Sequence, residues 1–165
     1  MRINDPLRPL KPLLAALAIA ALALSGCGGD EAPQEPARQD ASKPSSSAIT
    51  FPLGEENGSG RTGEGFVQPG DDGAMMVLLR LRGGSGESNP AHIHDVTCEQ
   101  YRRMNSFSDQ LATVDNTLET LHEGQSDSTL SGVSMSARTT GAYSVNVHEP
   151  AQPYKVVACG DIPRR

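Results

Sequence analysis

From residue 48 onward the chain alternates apolar and polar side chains in short runs broken by glycine-rich turns, a period of two rather than 3.6. Val77, Leu79 and Leu81 alternate with Leu78, Arg80 and Arg82, the pattern of a half-buried antiparallel strand. Tyr143, Val145 and Val147 alternate with Ser144, Asn146 and His148, which puts His148 on the polar, outward face of its strand. Turn sequences such as Asn57-Gly58-Ser59-Gly60 and Pro69-Gly70-Asp71-Asp72-Gly73 separate the runs. The pattern predicts strands over 48–53, 62–68 and 74–82, a fourth carrying His92 and His94, and four more over 118–122, 126–133, 142–148 and 154–159. A loose glycine-rich loop is expected over 83–86, and residues 99–115 read as a polar loop with room for one helical turn at 101–104. Eight short strands without an amphipathic helix make the fold all-β, an eight-stranded Greek-key β-sandwich or flattened barrel. Residues 48–165 suffice for one domain with a core and not for two.

Ahead of this region the pattern changes. Arg2, Arg8 and Lys11 precede an apolar stretch over 13–24 that is too short and too small-sided to span a bilayer, the order of a secretory leader. It ends in Leu24-Ser25-Gly26-Cys27, which resembles the lipobox of bacterial lipoproteins, whose cysteine carries the lipid and opens the mature chain. Residues 1–26 are therefore expected to be a lipoprotein signal peptide. Residues 27–47, with Pro33, Pro36 and Pro44 and little to bury, are expected to be the lipidated cysteine and a disordered tether. The chain is then an exported cell-envelope lipoprotein, on the periplasmic side of an outer membrane or at the cell surface, and touches the membrane by lipid alone. Gly28 after the cysteine resembles the pattern for sorting to an outer membrane.

Cysteine usage fits an oxidising compartment. The chain has three cysteines, and assigning Cys27 to lipid leaves Cys98 and Cys159, which are expected to pair. The other reading, a cleaved leader with Cys27 kept as a thiol, leaves an odd cysteine in an exported protein. The leader removes three of the 14 basic and one of the 20 acidic residues, so the mature net charge is −8. A surface of that sign without clustered Lys and Arg argues against nucleic acid as a partner.

The candidate chemistry lies in the histidines. His92 and His94 alternate around Ile93 and project from one strand face with Cα atoms about 6.6 Å apart, close enough to converge on one ion. If His148 faces the same outer wall, three neutral imidazoles are available, a donor set that suits copper or zinc and favours copper on intrinsic affinity. His122, before Glu123-Gly124, reads as an exposed turn histidine. Met104 offers a soft thioether, but methionines on such a chain are ordinarily core filler. Asp95 and Glu149 each follow a candidate ligand and read equally as outer partners or solvated charges.

In order, His92-Ile93-His94, Cys98, Val147-His148 and Ala158-Cys159-Gly160-Asp161-Ile162 resemble the copper/zinc superoxide dismutase superfamily, in an exported bacterial branch without zinc. The resemblance spans residues 48 to 163 and implies a copper site at His92, His94 and His148 beside a Cys98–Cys159 bridge. Two departures stand out. No histidine lies in 99–115, where the family keeps its bridging and zinc ligands, so no zinc is expected. Val156 stands where the family has an arginine that guides superoxide, and neither Lys155 nor Arg138 is placed at the metal by the sequence. The expectation is a lipid-anchored copper protein acting in superoxide or copper handling, a copper-only dismutase with weak or no activity. The alternative is a metal-free β-sandwich that serves as a binding or scaffold domain of the envelope.

Overall fold

Ile49, Phe51 and Leu53 are buried while Thr50, Pro52 and Gly54 are exposed, and the same two-residue rhythm recurs along the chain. The structure, a computed structural model, describes residues 43–84 and 88–165. The expected leader, Cys27, the tether up to residue 42 and part of the glycine loop lie outside these residues. The described residues form eight strands: β1 (Ile49–Glu55), β2 (Thr62–Pro69), β3 (Met75–Arg82), β4 (Ala91–His94), β5 (Val114–Thr117), β6 (Gln125–Leu130), β7 (Tyr143–Glu149) and β8 (Gln152–Ile162). They make one curled antiparallel sheet in the order β5-β4-β7-β8-β1-β2-β3-β6. β1 meets β8 only at its end, where Gly54 and Glu55 face Cys159 and Ala158. Phe51, Val67, Val77 and Leu79 from one half of the sheet thus share a core with Ile93, Val145, Val147 and Val157 from the other. Gly65 and Gly160 make room for it: a Cβ on Gly65 would stand 2.2 Å from the Phe51 ring, and one on Gly160 2.4 Å from the Pro52 carbonyl oxygen.

Several elements differ from the sequence expectation. The polar loop over 99–115 holds two helices, α1 (Cys98–Arg102) and α2 (Phe107–Ala112). Thr97 and Gln100 form a reciprocal capping box for the first, and Ser106 caps the second through the Asp109 amide. The fifth strand is Val114–Thr117 rather than 118–122. Its register against β4 is fixed by pairs such as His92 with Thr117, whereas Leu118 and Leu121 are buried anchors beyond its end. The sixth strand stops at Leu130, because Gly132 turns the chain with φ +75° and Ser134 then caps a third helix, α3 (Met135–Thr139). β8 begins at Gln152, with two residues between it and the end of β7. Among the described residues no helix is long and apolar enough to cross a membrane.

The outward face of β7 is not exposed, contrary to its polar pattern. Ser144, Asn146 and His148 are all buried. One row of the sheet places His92 beside Asn146 and Asn146 beside Cys159; the next places His94 beside Ser144 and Ser144 beside Asp161. Cys98 is bonded to Cys159, with Cα atoms 6.0 Å apart, and its amide donates to Asp161 Oδ1 at 2.7 Å. These ties hold α1 down over the β4–β7 surface, so polar residues that alternation sends outward are roofed by a loop.

Candidate metal centre

β4 presents His92 and His94 on that roofed face, and His148 reaches it from the bulged end of β7. The structure brings the three together, with one candidate ligand nitrogen from each all within 4.8 Å of one another. His92 Nδ1 and His148 Nε2 are 3.2 Å apart. Two nitrogens each about 2.0–2.1 Å from a shared ion sit about 3.3 Å apart at a tetrahedral angle, so this edge has the dimension of a coordination sphere. His94 stands further off, its ring centroid 6.0 Å from His92 and 6.2 Å from His148.

The partners of His94 define which of its nitrogens faces the others. Nδ1 lies 2.9 Å from Thr113 Oγ1, while the buried Nε2 has no hydrogen-bond partner in the protein. A buried ring nitrogen left without a partner in a residue only 1% exposed is costly unless something else engages it. A metal ion bound by His92 Nδ1, His94 Nε2 and His148 Nε2 fits that requirement, and an all-imidazole donor set suits copper or zinc.

Electrostatics keep the rings in the ligating form. Burial pushes the His94 pKa down to about 4, helped by the neighbouring His92 and opposed by Asp95 and the Gln110 carbonyl. Burial likewise pushes His148 down to about 3, with His92 and His94 adding to the shift and the Pro153 carbonyl opposing it. His92 is lowered by burial too. All three are neutral at pH 7, with lone pairs available.

A scan of protein-family models matches none to this chain, and neither curated proteins nor solved structures return a similar one. The site therefore has to be read from its own chemistry.

The histidines open onto a cavity of about 180 Å³ whose other walls include Tyr101, Phe107, Leu111, Val114 and Pro153. Among the described residues Phe107, Leu111 and Tyr154 are the large hydrophobic side chains that stand exposed; the first two line this cavity, and Phe107 meets Tyr154 edge to face at 6.4 Å. Tyr101 packs edge-on against His94 with centroids 4.8 Å apart, and burial raises its pKa, so it stays a neutral phenol. The Asn146 amide oxygen lies 2.6 Å from Cys159 Sγ. Sequence reasoning passed over Tyr101, Gln110 and Thr113 because it took their segment for a loop; the capping pairs Thr97/Gln100 and Ser106/Asp109 were the signal that could have found it.

The remaining candidates fall elsewhere. Val156 packs against the disulfide with Tyr101. Lys155 pairs with Glu149 at 3.8 Å, and Arg138 pairs with Asp115 at 2.5 Å while stacking on Tyr143. Neither cation lines the histidine cavity. Met104 packs against the disulfide cluster, and Asp95 is exposed. His122 is an exposed residue at the β5–β6 turn, its Nδ1 3.0 Å from Ser88 Oγ.

Proposed function

We propose that this chain is an exported, lipid-anchored copper-binding protein with a superoxide dismutase-like Greek-key domain, acting in superoxide or copper handling with weak or no dismutase activity. The observation that carries the reading is the convergence of three neutral imidazoles on a single covered face, two of them, His94 and His148, with a buried nitrogen that no protein group partners. The strand order, the bridge from Cys98 to Cys159 and the two-histidine strand support the family resemblance. The leader-like segment and Cys27 support export and anchoring.

Copper held by these nitrogens would supply a one-electron couple, which zinc lacks. The residues around the site favour holding the ion over turning over an anion. The cavity walls are largely apolar, and Val156 leaves the place of a guiding cation empty of charge. No fourth histidine lines the cavity to release and return a proton.

Elemental analysis of the oxidised protein tests the reading. It should carry about one copper per chain and no stoichiometric zinc, and should lose the copper in His92→Ala and His148→Ala. A wild-type protein that takes up no copper beyond the triple histidine variant would overturn it in favour of a metal-free envelope domain. A superoxide-scavenging assay on the loaded form then separates enzyme from carrier.

A further inference from the structure

We infer that Thr113 is a positioning residue: its hydroxyl fixes the His94 ring in the Nδ1–H tautomer and so presents the Nε2 lone pair to the histidine cluster. The inference rests on the reading of this cluster as a metal centre for its purpose, but the tautomer itself does not require the ion.

Thr113 Oγ1 lies 2.7 Å from the Gln110 carbonyl oxygen and 2.9 Å from His94 Nδ1. A carbonyl has no proton to give, so the single hydroxyl proton of Thr113 goes to Gln110. The hydroxyl oxygen then faces His94 Nδ1 with lone pairs only, and the bond forms only if Nδ1 carries the ring proton. In a neutral imidazole this leaves Nε2 bare, and Nε2 is the buried atom without a protein partner. The opposite tautomer would set two lone pairs against each other at Thr113 and bury an unmatched N–H among the other histidines.

The placement also gives the α2 segment a role. Thr113 ends α2, its amide donating to the Gln110 and Leu111 carbonyls, and β5 follows directly, where Val114 pairs with His94. The Asp95 amide bonds the Thr113 carbonyl at 3.0 Å, so the backbone on both sides of the contact is pinned. A hydroxyl on a rigid junction can hold a ring orientation that a mobile side chain could not.

Protein labelled with ¹⁵N-histidine tests this without metal, since its four histidines can be assigned by single substitutions. Long-range ¹H–¹⁵N spectra of the metal-free wild type should show His94 as the Nδ1–H tautomer. Thr113→Val, which keeps the shape and removes the hydroxyl, should reduce that preference to what the Gln110 carbonyl alone supports and weaken Cu(II) binding by about 10–100-fold. Thr113→Ser should restore both. Wild-type His94 carrying its proton on Nε2, or an unchanged Nδ1–H signal in Thr113→Val, would overturn the inference. If Thr113→Val fails to fold, the wild-type and serine spectra still decide the tautomer. A wild type with the Nδ1–H tautomer that binds no copper would sink the metal reading and leave the Thr113 assignment standing.

Discussion

His92 Nδ1 and His148 Nε2, from residues 56 positions apart, lie 3.2 Å from each other on a covered sheet face. Two neutral rings at that distance either share one proton or direct two lone pairs at one cation. The second arrangement also engages His94 Nε2, which otherwise has no partner. Copper should therefore bind the folded chain far better than the unfolded one. At a free concentration a hundred times its Kd, it should add about 2.7 kcal/mol of stability. Thermal unfolding with copper and with excess chelator checks this: a rise of roughly 10 °C is expected for a domain of this size, and none in His148→Ala.

Protons oppose the site in the metal-free protein. His94 and His148 titrate at about 4 and about 3 when folded, below the 6.5 of a free imidazole. Between those values the unfolded chain binds more protons than the folded one, so stability rises with pH. The metal-free protein should be fully stable above pH 6.5 and weaken as pH falls from 6.5 toward 4. Each ring contributes a slope of up to about 1.4 kcal/mol per pH unit. Urea midpoints at pH 7, 6 and 5 give the measurement, and midpoints that do not move would contradict the burial of neutral rings.

Reduction of the Cys98–Cys159 bond should cost about 2–5 kcal/mol, because it releases a long loop in the unfolded chain. It should also weaken copper binding, since the bond and the Cys98–Asp161 contact hold α1 over the histidines. Denaturant curves and copper titrations with and without reductant read the two effects separately. Equal copper affinity in both forms would show that the roof is not needed to shape the site.

Much of this was legible in the chain, and the exceptions share a cause. Alternation around Ile93 and Val147 places the sheet and its core face, because a period of two has one solution once one face is apolar. The same pattern misjudged Ser144, Asn146 and His148, since polarity records that a face is not core and does not record what lies over it. α1 and α2 are five and six residues long, too short to show a helical period, so their evidence lay in capping side chains instead. Thr113 carried no sequence signal; its meaning comes from a 2.9 Å contact with a residue 19 positions away.

Gly160 gives a sharper test of the fold. A methyl group there would stand 2.4 Å from the Pro52 carbonyl oxygen and 2.9 Å from both Leu53 and Phe51. Gly160→Ala should destabilise the domain by about 1–3 kcal/mol. Gly54→Ala, whose nearest contact would be an ordinary 3.7 Å, should change it by less than about 0.5 kcal/mol. Similar losses for the two would mean that β8 does not pack against β1 as described.

Leu111 offers a way to separate anion access from metal chemistry. It lies at the mouth of the histidine cavity and is 56% exposed, so Leu111→Lys should alter stability by only about 0.5 kcal/mol. The new ammonium would face a mouth that otherwise has apolar walls, and cations at such mouths raise the encounter rate of anions. If encounter limits superoxide consumption by the copper-loaded protein, the variant should be faster than wild type by about tenfold at low salt. The gain should fade as ionic strength rises and the screening length shortens to about 8 Å at 0.15 M. Equal rates at every salt concentration would show that arrival of the anion does not limit its consumption.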